Sequence, residues 1–186
     1  MHENSLESRI ARLEARDAIR ELVARYGLVI DDHDLAGIRA LFTADAHFAS
    51  RDGIMAASGR DAIVEQFVGR FQVLGISNHF THDHIIQFDD ADPASASGLV
   101  TSHAEVWRNG QALIGAMRYH DRYRLDAGTW RFQSRELAFL YYLPVTEYAD
   151  GLGSTLRQRA YGDQRHADYP ESLPGWQDYR STNIPE

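Results

Sequence analysis

Trp107-Arg108-Asn109-Gly110-Gln111-Ala112-Leu113-Ile114 is the stretch on which the fold turns. Asn and Gly both tolerate positive φ, so Asn109-Gly110 makes a two-residue turn joining two antiparallel strands. The flanking segments, Ser97 to Trp107 and Ala112 to Leu125, are rich in β-branched and aromatic residues, as strands are. His79 to Phe88 and Trp130 to Leu143 share that texture, and Asp126-Ala127-Gly128-Thr129 supplies a second turn.

Upstream of Gly75 the period changes. Ile10, Leu13, Ile19, Leu22, Val23 and Tyr26 recur at helical spacing, predicting a helix over about Leu6 to Ile30 with Ser5 as its cap. Asp31-Asp32-His33-Asp34 is a polar break. A second helix follows over about Leu35 to Phe42, and a third over about Arg60 to Val73 with Ile63, Val64, Phe67, Val68 and Phe71 on its apolar face. Helices first and strands afterwards predict an α+β fold: three N-terminal helices packed on a mostly antiparallel sheet. Beyond Pro144 the chain turns polar and is broken by Gly151, Gly153, Pro170, Pro174 and Pro185. Residues 1–144 are therefore read as one α+β domain, and 145–186 as an irregular tail or cap whose Tyr, Leu and Trp side chains pack on it.

The chain has 186 residues, 44% of them hydrophobic, enough for one domain with a real core. No apolar run approaches the ~20 residues that span a bilayer, and Met1 to Ser5 lack the pattern of a secretory leader. A cytoplasmic protein without membrane partners is expected. The net charge of −8, with no basic block, argues against nucleic acid as a partner. There is no cysteine, and all 19 basic residues are arginine. Thiolate and Schiff-base chemistry are thereby excluded, leaving His, Asp, Glu and Tyr for proton transfer.

His79-Phe80-Thr81-His82-Asp83-His84 is the densest ionisable cluster. Simple strand alternation puts His79, Thr81 and Asp83 on one face and His82 with His84 on the other. Two imidazoles without a nearby carboxylate in a suitable pattern read as a surface or interface pair, and no metal is expected. No glycine motif for a nucleotide or phosphate is present, and no cofactor is expected.

The segments Leu13 to Leu22, Tyr26, Ile30-Asp31, Asp34, Leu41-Phe42 and Asp45-Ala46 resemble the opening of SnoaL-like proteins, a branch of the nuclear transport factor 2-like superfamily. His79 followed by Asp83-His84-Ile85 is similar to the family's strand with a His and, four residues on, usually Asn; here Asp83 stands in that place. Gly128-Thr129-Trp130-Arg131-Phe132 with Arg135 resembles its final strand. The resemblance covers about Leu6 to Leu143 and implies a cone-shaped, cystatin-like α+β barrel with an internal pocket. Scytalone dehydratase, γ-hexachlorocyclohexane dehydrochlorinase, bile-acid 7α-dehydratase, polyketide cyclases and, more distantly, ketosteroid isomerase share it.

By that resemblance Asp31 orients His79, the base that removes a proton from carbon, and Arg135 stabilises a departing anion. Tyr26 and His103 contact substrate oxygens, with Asp83 also near the substrate. Each residue also has a plainer reading. His79 is then a structural strand residue, Asp31 a helix cap, Tyr26 core packing, Arg135 half of an ordinary ion pair, and His103 a polar position without a catalytic role. The expected function is a cofactor-free lyase or isomerase, of dehydratase, dehydrohalogenase or cyclase type. Phe139, Tyr141, Tyr142 and Tyr148 point to a small hydrophobic, ring-containing substrate. The alternatives are a non-catalytic ligand-binding or oligomerisation module, or the small subunit of a ring-hydroxylating dioxygenase. A homo-oligomer, dimer or trimer, is expected from the resemblance.

Overall fold

The computed structural model describes residues 5–183; Met1 to Asn4, and the final residues with Pro185, lie outside the described residues. Helix α1 spans Leu6–Asp31, and the Ser5 hydroxyl accepts the Ser8 N–H at 3.1 Å. Ile19, Leu22, Val23, Tyr26 and Ile30 form its buried stripe, each full burial being worth about 1.5–3 kcal/mol. Ile10 and Leu13, on the same predicted stripe, are exposed. α2 (Leu35–Leu41) is capped by Asp34, whose carboxylate accepts the Gly37 N–H at 2.9 Å. α3 (Arg60–Phe71) buries Ile63 and Phe67.

Two strands lie between α2 and α3 where none was expected: β1 (Phe42–Ser50) and β2 (Ala56–Ser58). β1 buries Phe42, Ala46 and Phe48 among small and polar residues, so its short apolar signal merges with the end of α2. β3 (Leu74–Phe88), β4 (Ser95–Arg108), β5 (Gln111–Asp126) and β6 (Thr129–Pro144) follow as an antiparallel meander. β1 joins β6 in parallel, giving one six-stranded sheet of order β2-β1-β6-β5-β4-β3. The helices cover one face of this sheet, and the main core lies between them. Asn109 and Gly110 have φ of 49° and 80°, as the hairpin reading required.

Irregularities in register decide which side chains reach that inner face. Between Thr81 and His84 two residues of β3 oppose one of β4, and between Phe132 and Arg135 β6 carries a similar extra residue against β5. Such bulges reverse side-chain alternation and add twist. Phe132 and Arg135 therefore both point inward although three positions apart, as do Thr81 and His84.

The tail is more regular than expected. α4 (Tyr148–Gly151) is followed by a segment hydrogen-bonded to β6 beyond the end of β1. There Tyr142 N–H donates to Arg157 O and Arg159 N–H to Tyr142 O, each at 2.9 Å. Arg157, 4% exposed, also donates to Leu140 O, Ser154 O, Tyr169 O and the Glu171 carboxylate. α5 (Pro174–Asn183) closes the described chain, with Pro174 at the first helical position, where no N–H is needed. Among the described residues no helix is long and apolar enough to cross a membrane.

Candidate active site

The last residue of α1 and the third inward position of β3 meet at the site. Asp31 Oδ1 accepts from His79 Nδ1 at 2.6 Å and from the Ser77 hydroxyl at 2.7 Å, while Oδ2 accepts the His79 backbone N–H at 2.8 Å. Capping is thus not the role of Asp31; Asp34 performs it. Gly27 eases the approach, because a Cβ there would stand 3.3 Å from His79 Cβ, a tight contact. Burial opposes the charge on Asp31, but hydrogen bonds from the His79 ring, the His79 N–H and Ser77 outweigh it and hold the carboxyl below its ordinary value. With Nδ1 committed to Asp31, Nε2 is the nitrogen free to accept a proton.

His79 lines a small, largely enclosed cavity between helices and sheet together with Tyr26, Ser77, Met117, Tyr119 and Tyr142. Its volume is about 30 Å³, enough for water but not for a ring. Phe139 and Tyr142 belong to this wall as the aromatic pattern suggested. Tyr141 and Tyr148 do not; they pack on each other on the opposite side of the sheet, with ring centroids 5.4 Å apart.

Arg135 is wholly buried behind the wall. Its Nε and Nη2 donate to Asp121 Oδ1 and Oδ2 at 2.8 and 2.7 Å, and its Cζ lies 4.1 Å from the ring centres of Tyr26, Tyr119 and Phe132. Burial works against the guanidinium, yet Asp121 overcompensates and raises its pKa further, so the group stays charged. Tyr26 joins both environments: it lines the cavity and shields Arg135. Burial first, then the neighbouring Tyr119, push its hydroxyl up, so it remains a protonated phenol.

Two expected site residues are elsewhere. His103 lies on the outer sheet face, its Nδ1 2.9 Å from His82 Nε2, because it alternates with Ala104, the residue paired with His79. Asp83 is exposed because the β3 bulge turns it out and brings His84 in. The same bulge separates His82 from His84. Among the described residues no three His, Asp or Glu side chains converge on a possible metal position.

Half-buried His84 with buried Asp121 and Tyr123 forms a hydrogen-bonded chain that the sequence reading missed. Tyr123 OH donates to Asp121 Oδ2 at 2.7 Å and lies 3.0 Å from His84 Nε2. Period-two spacing with Tyr119 was the available signal for Asp121 and Tyr123; for Ser77, it was the spacing from His79.

Three N-terminal helices packed on one face of a bent, mostly antiparallel six-stranded sheet are the nuclear transport factor 2-like fold. Residues 11–136 match the SnoaL-like domain, and the chain belongs to that family. No curated protein matches it. Among solved structures it is similar to a hexachlorocyclohexane dehydrochlorinase, LinA type 2 (TM-score 0.68, 18% identity, 74% of this chain and 93% of that one). It is also similar to a protein of Novosphingobium aromaticivorans provisionally named scytalone dehydratase (0.65, 21%, 72% and 89%). A third, from the same species, is provisionally named the β subunit of an aromatic-ring-hydroxylating dioxygenase (0.59, 24%, 69% and 90%). Likeness at these identities establishes the fold.

Proposed function

We propose that the protein is a cofactor-free lyase or isomerase in which His79 removes a proton from a carbon acid bound in the internal cavity. The observation that carries this reading is the His79–Asp31 contact of 2.6 Å, with the other ring nitrogen left for substrate. In the step, the C–H proton passes to Nε2. The C–H electron pair enters the substrate, either as an enolate or as a new C=C bond while a leaving group departs from the adjacent carbon. Asp31 holds the ring and stabilises the imidazolium that forms, and a base positioned in this way contributes about 10²–10⁴ in rate. Tyr26 supports the step as a phenol donor lining the cavity. Arg135, committed to Asp121, is assigned the positioning of Tyr26 and Tyr119 in place of direct contact with a leaving group.

A ring-sized substrate requires the wall to open. Met117 and Arg70 are its flexible side chains. Self-association belongs to the same proposal: Ile76, Phe80 and Trp107 are exposed on β3 and β4 outside the helical layer. The test is NMR in D₂O with a panel of cyclic alcohols, polyketides, steroids and chlorinated hydrocarbons. Wild type is expected to exchange or eliminate at one carbon of a panel member, and His79→Ala to lose that activity. Full activity in His79→Ala would end the proposal.

A further inference from the structure

Arg70 stands on the wall of the cavity that His79 lines, at the end of α3. Its Nη1 donates to Met55 Sδ at 2.9 Å, a poor acceptor, and its Nε is buried with no acceptor. Arg108, at the end of β4, likewise has a buried Nε without an acceptor, and its guanidinium lies 4.7 Å from the centre of the Tyr161 ring. Among the described residues neither has a carboxylate within 4.0 Å, the limit for an ion pair. Arg135 also buries one donor, Nη1, without an acceptor, but its charge is paired with Asp121, and Arg157 is met by Glu171 and three carbonyls. In half-buried Arg70 and Arg108 alike the Nε, a donor on a charged group, is desolvated without an acceptor, which is costly. The negative end of the α3 dipole favours a cation at Arg70 but supplies no acceptor to the buried Nε.

Arg70 and Tyr142 both line the cavity, and Arg108 hydrogen-bonds the Tyr142 side chain. Burial raises the Tyr142 hydroxyl, and the charges of Arg70 and then Arg108 oppose that rise. The same two arginines act on Tyr161, which the tail contributes beside them. Arg70 on the cavity wall and Arg108 behind Tyr142 are thus two guanidiniums without a carboxylate at one end of the cavity, with His79 on its wall.

We infer that the cavity takes a substrate bearing a carboxylate, held by Arg70 and, at the rim, by Arg108, so that an apolar carbon acid is presented to His79. The inference rests on the proton-abstraction reading for its second half and on the unpaired arginines for its first. A planar carboxylate matches the guanidinium fork, and anchoring it fixes the distance from the anion to the reacting carbon. Apolar neighbours such as Leu137 and Phe139 fit the remaining carbon skeleton.

The test is calorimetric titration of sodium acetate and sodium benzoate against acetamide and benzamide, in low-chloride buffer. The proteins are wild type, His79→Ala, Arg70→Gln, Arg108→Gln and the control Arg118→Gln, whose guanidinium lies 4.3 Å from the Tyr169 ring centre and outside the cavity lining. At least one carboxylate is expected to bind about tenfold or more tighter than its amide, to wild type and His79→Ala alike. Arg70→Gln is expected to lose about tenfold or more of that affinity and Arg108→Gln a smaller share, with Arg118→Gln unchanged. Equal binding of acid and amide, no binding of either acid, or undiminished binding in Arg70→Gln overturns the inference. If Arg70→Gln does not fold, the acid-to-amide ratio in wild type and the loss in Arg108→Gln decide it. Failure of the base reading looks different: carboxylates bind through Arg70, yet His79→Ala removes no activity.

Discussion

The Tyr123 hydroxyl sits between His84 and Asp121, 3.0 Å from His84 Nε2 and donating at 2.7 Å to Asp121 Oδ2. Because that hydroxyl has given its only proton to Asp121, it accepts from His84, which must carry its hydrogen on Nε2. In the neutral His84 ring this fixes the tautomer with hydrogen on Nε2. Burial lowers its pKa from 6.5 to about 4, outweighing the attraction of Asp121. Gly98 leaves the room for this arrangement, since a Cβ there would come within 2.5 Å of the Tyr123 hydroxyl and 2.9 Å of His84 Nε2.

Acid stability follows from this relation. Between pH 6.5 and about 4 the unfolded chain binds a proton at His84 that the folded chain refuses. Stability is therefore greatest above that window and falls as pH drops through it. His84→Phe is expected to flatten that part of the profile in urea titrations at a series of pH values. An unchanged slope would assign the acid sensitivity to other groups.

The Asp31 carboxyl adds a second, lower limb. Its folded pKa lies below the ordinary 3.8, so its contribution is present above that value and is lost as pH falls through the folded value. Asp31→Asn is expected to remove this limb in circular-dichroism acid titrations. In the activity assay it should lower kcat by about 10² or more while leaving the fold intact. Wild-type kcat in Asp31→Asn would show that the carboxylate does not assist the base.

The buried Arg135–Asp121 pair predicts an asymmetry. Asp121→Asn strands a guanidinium that is wholly enclosed, and a loss of about 3–5 kcal/mol is expected in urea unfolding. Replacing both partners together, as Arg135→Met with Asp121→Leu, should recover much of that loss. A double variant as unstable as the single one would mean that the aromatic cage needs the cation.

Gly98→Ala tests the crowded end of the same chain. The added methyl meets the Tyr123 ring and hydroxyl, which the surrounding core holds in place. A cost of about 1–3 kcal/mol is expected in thermal or urea unfolding. Gly27→Ala, at 3.3 Å from His79 Cβ, needs a shift of only a few tenths of an ångström and should mainly weaken the Asp31–His79 contact, read as a loss of kcat.

The tail offers a further measurement. Arg157 ties the segment after α4 to β6 and to Glu171, so Arg157→Ala is expected to release it. Faster amide hydrogen exchange at Tyr142 and Arg159, with slow exchange kept at the β4–β5 ladder, is the expected pattern. Uniform protection in the variant would show that other contacts hold the tail.

What the sequence by itself determined is the class of fold and the central pair. Three helical stripes and four long strands are local patterns, set by period and by turn chemistry such as Asn109-Gly110, and they survive without knowledge of neighbours. Asp31 and His79 were legible through their matched place in a family pattern. The tertiary structure decided the rest. β1 is held by its parallel pairing with β6, a contact between distant parts of the chain that leaves only a weak local signal. Two bulges, invisible to strict alternation, brought His84 and Arg135 inward and turned Asp83 out; their register exists only once neighbouring strands pair. His103 was assigned by spacing, and its pairing with Phe80 beside the His79–Ala104 pair put it on the outer face. Arg70 and Arg108 look like any other arginines in the chain; a buried Nε without an acceptor, on a guanidinium without a carboxylate beside it, is a property of packing that sets them apart.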